Sequence, residues 1–239
     1  MTSPHNVATI GSFPRNQILG IGRTGLTVRQ GHFAIKLPLR WSTSSDEEIE
    51  ANIEFLQHEQ AVYTRLGKCD GVVPFFDSSD TSTTLAVMEN GDLRSYLSRN
   101  KPSQSLQLTW FRVIARTLAS IHERRIIVAD IASRNLLLDS GLSIKFCDFT
   151  ESTIMPLDTC METADDGGYS AQTDIGQLGA VVYEVVVGKK CDSDIFKNVP
   201  EEVDRGIWPR GGRSPQYAGY LARIHNQQML EEGRVQQCP

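Results

Sequence analysis

Gly20-Ile-Gly22-Arg-Thr-Gly25 places three positions without side chains where backbone N–H groups can close on a phosphate. Alone, the pattern is equally a plain turn. A dinucleotide-binding turn needs a helix directly after the third glycine, but Leu26-Thr27-Val28 follows, alternating and β-branched. A glycine loop between two strands, folded over phosphates, fits better. No G-x-x-x-x-G-K-[ST] occurs, so the Walker-type loop is excluded. On the next strand, alternation puts Ala34 and Lys36 on one face. The lysine can hold phosphates while a flat base lies on Ala34; the other reading is an edge strand with a solvated lysine.

Three acidic positions follow. Glu59 stands on a helical stripe, Leu56, Glu59, Tyr63, Leu66, where an apolar residue belongs. A buried carboxylate needs a partner, and Lys36 is the candidate; alternatively the stripe lies at a wet rim. Glu50 and Glu54 are lesser candidates. Asp130 follows the apolar run Ile126–Val128, and Asn135 precedes Leu136–Leu138. Such an Asp can accept a hydroxyl proton, and an Asn carbonyl can bind a hard cation; both are also common turn residues. Asp148 ends the run Leu142–Cys147 and is either a Mg²⁺ ligand or a turn Asp.

The elements that must position these residues divide the chain. Strands are expected at Gln17–Ile21, Leu26–Gln30 and His32–Leu37, then a helix over 41–66 capped by Ser45 and Glu48. Val72–Phe76 and Thr83–Met88 read as strands around a DSSDTS turn. From Asp92 the pattern turns helical, with helices at Leu108–Ile121 and Thr173–Val187. Strand-rich first and helix-rich second implies two lobes: a loose tail over 1–14, a first lobe over 15–91 and a second over 92–239.

Composition excludes other classes. Apolar residues make up 40% and charged residues 22%, ordinary globular usage. The net charge is −5 and no Lys/Arg run exceeds two, which argues against nucleic-acid binding. Five cysteines without a C-x-x-C spacing indicate a reducing compartment rather than a disulfide framework. No signal-peptide pattern opens the chain, and no apolar run approaches the roughly 20 residues of a membrane span. A cytoplasmic or nuclear protein that does not engage membranes is expected.

The order of these signals, glycine loop, Ala-x-Lys, helix Glu, Asp-x-x-x-x-Asn, then Asp-Phe, resembles the eukaryotic protein kinase signature set. The wording around Asp130-Ile-Ala-Ser-Arg-Asn, Leu142–Phe149 and Thr173–Gly179 resembles the divergent kinase-domain proteins of filamentous fungi. The resemblance covers about 16–190 and is poor after 190. It implies an α+β, two-lobed kinase-like fold: a small antiparallel N-lobe sheet with one helix, and a mainly helical, shortened C-lobe.

It also implies roles. Gly20, Gly22 and Gly25 would cover ATP phosphates. Ala34 would touch adenine, and Lys36, oriented by Glu59, would grip the α- and β-phosphates. Leu85 would be the gatekeeper, and Ala86 to Met88 the adenine-contacting hinge. Asp92 would meet the ribose, and Leu137 would form the floor. Asp130 would take the substrate hydroxyl's proton, Asn135 and Asp148 would hold Mg²⁺, and Asp174 would brace the catalytic loop. The implied partners are ATP and a protein substrate.

Departures from the pattern limit the carry-over. Val128-Ala129 stands where the family has His-Arg, so a phosphorylated activation loop loses its reading cation. Ala132 replaces the Lys of serine/threonine kinases, and Arg134 resembles the arginine of tyrosine-kinase loops. Thr150 replaces the Gly of D-F-G, which should hinder a flip of that segment. A-P-E is missing, with Cys160-Met161-Glu162 as a remnant. The tail, Trp208–Arg213 and an amphipathic stretch at Tyr217–Leu230, is short for closing helices, so either the lobe is trimmed or a partner covers it. The leading reading is a protein kinase, serine/threonine by default. The alternatives are a pseudokinase acting as a nucleotide-binding or scaffold module, and a small-molecule phosphotransferase.

Overall fold

A computed structural model describes residues 7–190. Its first part is an antiparallel sheet of β1 (Ile18–Ile21), β2 (Gly25–Gln30), β3 (Phe33–Pro38), β4 (Phe75–Ser79) and β5 (Ser82–Ala86), in the order β1-β2-β3-β5-β4. Helix α1 (Asp46–Leu66) packs on β3 and β5. It starts at Asp46 because Ser45 and Glu48 exchange hydrogen bonds, each to the other's backbone N–H, in the capping box expected. Residues 41–44 form a turn ahead of it rather than part of the helix.

The second part contains α2 (Leu93–Leu97), α3 (Gln104–Glu123), the pair β6 (Ile126–Ile127) and β9 (Thr153–Ile154), the pair β7 (Leu136–Leu138) and β8 (Ile144–Phe146), and α4 (Ala171–Val187). Ser103 caps α3, whose buried positions Phe111, Ile114, Leu118 and Ile121 repeat at three and four residues. Ser170 and Thr173 form a second capping box at the start of α4, and Gly188 ends it in the left-handed conformation. One core joins the two parts, from Tyr63 and Leu66 through Val72, Val73 and Leu85 to Leu93, Trp110, Phe146, Phe149 and Val181. The two-lobed α+β arrangement agrees with the expectation.

Three local expectations are corrected. Val72 and Val73 do not begin β4. Val73 N–H donates to Phe146 O at 2.9 Å, and the chain joins the first sheet from Pro74 onward, whose carbonyl accepts from Ala86 N–H at 2.9 Å. The DSSDTS stretch is mostly strand, since β4 runs to Ser79 and only Asp80-Thr81 turns. Residues 7–14 are not loose: Val7 is buried against Ile49 and Ile53 of α1, and Arg40 Nη1 donates to Val7 O at 2.8 Å. The poorly matched region after 190, with the stretches at 208–213 and 217–230, lies outside the described residues.

Candidate active site

Most residues singled out from the sequence line one cavity of about 1050 Å³ between the two parts, whereas Glu50, Glu54, Val87 and Asp174 lie outside it. From the first sheet come Gly20, Gly22, Gly25, Ala34, Lys36 and Ala86, and α1 adds Glu59; Met88 and Asp92 lie where the chain crosses; Asp130, Arg134, Asn135, Leu137 and Asp148 form the far wall. Leu85 lines it as well.

The β1–β2 hairpin carries the glycines. Gly22 N–H donates to Gly25 O at 2.8 Å across the turn. A Cβ on Gly25 would stand 3.0 Å from Lys36 Cε, so this glycine lets the loop settle over the lysine. Lys36 reaches from β3 to two carboxylates, Glu59 Oε2 at 2.7 Å and Asp148 Oδ1 at 2.9 Å. Glu59 is fully buried, so the wet-rim reading is excluded. Its other oxygen accepts from Phe149 N–H at 3.1 Å. Burial opposes the charge on Lys36, but the two carboxylates outweigh it and raise its pKa. Burial likewise opposes Asp148, yet the Lys36 ammonium and the Thr150 hydroxyl hold that carboxyl below its ordinary range. Burial and the nearby Asp148 push the Cys147 thiol well above its usual value, so it stays a neutral wall of the cavity.

An aromatic column supports Asp148 from behind. Tyr63 stacks on Phe75 at 5.5 Å and meets Phe149 edge-on at 5.3 Å. Asp148 itself takes the left-handed conformation (φ 60°), while Thr150 does not. Thr150 therefore carries no backbone penalty, and its Oγ1 donates to Asp148 Oδ1 at 2.8 Å.

The opposite wall is the loop between β6 and β7. One nitrogen of Arg134 donates to both oxygens of Asp130, at 2.5 and 2.6 Å. Asn135 Nδ2 donates to Asp130 O at 3.0 Å and to Asp130 Oδ2 at 2.9 Å. Asp130 N–H closes back on Val128 O at 2.8 Å, a three-residue turn centred on Ala129, whose φ is 65°. Such a conformation costs a residue with a Cβ about 1–2 kcal/mol. It is held from α4: buried Asp174 accepts from Val128 N–H at 2.8 Å and Ala129 N–H at 2.9 Å. Val128 contributes a buried apolar side chain, and its carbonyl accepts from Ser152 Oγ at 3.0 Å. Glu162 O accepts from Gln172 Nε2 at 2.8 Å.

Sequence reasoning missed several neighbours. His122 Nε2 lies 2.8 Å from Asp174 Oδ2. Arg23 at the glycine-loop tip pairs with Glu151 beside Asp148 and lies over the Phe55 ring. Gln177, one helical turn beyond Asp174, faces the same loop; an amide on the largely apolar helix α4 was its only signal.

Among the described residues, no helix is long and apolar enough to cross a membrane. Residues 26–227 match the family described as protein tyrosine and serine/threonine kinase. The chain is 26% identical over 217 residues to the serine/threonine-protein kinase Nek1 of Mus musculus, covering 82% of this chain and 17% of that protein. It is 26% identical over 211 residues to the serine/threonine-protein kinase KIC1 of Saccharomyces cerevisiae, covering 77% and 19%. It is 24% identical over 221 residues to the receptor tyrosine-protein kinase erbB-4 of Homo sapiens, covering 80% and 17%. The chain thus spans about a fifth of the length of these relatives. With the family match extending over most of its length, this chain belongs to the protein kinase family.

Proposed function

We propose that the chain is an ATP-dependent protein kinase domain, serine/threonine by default, that passes the ATP γ-phosphate to a protein hydroxyl. The observation that carries this reading is Lys36, held by Glu59 and Asp148 on one wall of the cavity whose other wall presents Asp130 and Asn135. Lys36 would meet the α- and β-phosphates from the β3 side under the glycine hairpin. Ala34, Ala86, Met88 and Leu137 would enclose the base, and Asp92, which also caps α2, would stand at the ribose.

The donor set fits Mg²⁺. Among the described residues no group of three or more His, Cys, Asp or Glu could hold a metal unaided. One carboxylate and one amide oxygen suit an ion that takes its remaining ligands from phosphates and water. Asp148, held ionised by Lys36 and Thr150, and the carbonyl oxygen of Asn135 would supply them. Mg²⁺ would neutralise charge on the phosphates. Asp130 would accept the acceptor's hydroxyl proton, and Arg134 would hold that carboxylate toward the acceptor. The rate would arise from positioning and charge neutralisation.

Incubating the protein and a cell lysate with γ-labelled ATP, then fractionating, tests the reading. Label in proteins, absent with Asp130→Asn, supports it. Label only in small metabolites points instead to a small-molecule phosphotransferase. MgATP binding without label points to a nucleotide-binding pseudokinase.

A further inference from the structure

We propose that Gln177 is a positioning residue for Asp130, fixing the peptide groups on both sides of that carboxylate. This rests on the kinase reading of the site. Gln177 Nε2 donates to Ala129 O at 2.6 Å, and its Oε1 accepts from Ile131 N–H at 2.8 Å. The two bonded groups bracket Asp130. Asp174, one turn earlier on α4, takes the N–H groups of Val128 and Ala129. A carboxylate only accepts, so it cannot satisfy Ala129 O. That carbonyl belongs to the left-handed residue of the turn, the point where the loop most needs restraint. An amide supplies the donor and the acceptor on one planar head. Gln177 also faces the cavity, on a helix whose other inward positions include Leu178, Val181 and Val185. With His and Arg both absent at Val128-Ala129, the backbone on either side of Asp130 is held from α4 by this pair of side chains, beside the bond that Asn135 makes to Asp130 O.

Gln177→Met, similar in length without the polar head, tests this beside Gln177→Asn, whose head is too short to reach both groups. Single-residue amide exchange, MgATP affinity and steady-state transfer are read on each. Expected for both variants are faster exchange at Ile131, retained protection at Ala129, MgATP affinity within about twofold, and kcat lower by about 10- to 100-fold. Unchanged exchange at Ile131, or a kcat within twofold of wild type despite faster exchange, overturns the proposal. So does parallel loss of protection throughout α4, which would mark a structural role alone. If the wild-type chain transfers no phosphate, the kinase reading fails and the positioning role for transfer falls with it, whereas the exchange data still decide whether Gln177 restrains the loop.

Discussion

Arg134 sets a single nitrogen between the two carboxylate oxygens of Asp130, at 2.5 and 2.6 Å. The pair sits at the cavity mouth, half-exposed, so its direct contribution to stability is small. Its consequence is orientation: Asp130 can turn neither into the sheet side nor out to solvent without losing its cation. Arg134→Ala is therefore expected to lower kcat about tenfold while leaving MgATP affinity within twofold. Steady-state kinetics beside calorimetric titration of MgATP checks the split.

In the kinase reading, the Lys36–Glu59 pair serves the nucleotide. Glu59→Ala leaves Lys36 with Asp148 as its one carboxylate partner and strips Phe149 N–H of its acceptor. MgATP affinity should fall, and stability should drop by about 3 kcal/mol, the low end for losing one partner of a buried pair. Urea unfolding and nucleotide titration measure the two effects separately.

Gly25→Ala probes the same lysine from above. The added Cβ would lie 3.0 Å from Lys36 Cε. Two carboxylates hold the tip of that side chain, so the hairpin must lift instead. The expected result is weaker ATP binding with little change in melting temperature, read by thermal shift with and without nucleotide.

Titration of Asp148 adds a small part to the acid limb of stability. Its folded pKa is depressed, so its contribution is present above about pH 4 and is lost as pH falls through the depressed value. For Lys36 the folded pKa is raised, so its contribution is present below about pH 10 and is lost as pH climbs toward the raised value. Asp148→Asn should remove the acid-side loss by less than about 1 kcal/mol, since the side chain is 42% exposed. Melting curves from pH 2.5 to 6 on both proteins check it.

The site was more legible in the sequence than its supports. Glu59 stood out because it breaks an apolar stripe, and Asp130 with Asn135 because one follows an apolar run and the other precedes one; both signals survive without any knowledge of the fold. Gln177 could not be found this way. Its partners are backbone atoms of a turn whose shape depends on Ala129 being left-handed, which residue type does not announce. The edges of the first sheet misled for related reasons. Val72 and Val73 are strand formers that pair with β8 before the chain joins the first sheet at Pro74, while the polar run after Phe76 is strand because the outer edge of a sheet tolerates Ser and Asp. Val7 buries beneath α1 without a periodic pattern to mark it.

The central claim is that Asp130, Asn135 and Asp148 work on a MgATP held by Lys36. The most direct measurement compares thermal shifts with MgATP and with ATP plus EDTA, followed on the same samples by autophosphorylation with labelled ATP, for wild type and Asp130→Asn. The expected result is a shift that needs Mg²⁺ in both proteins, and label in the wild type alone. Equal label in Asp130→Asn, or no shift in either protein, would contradict it.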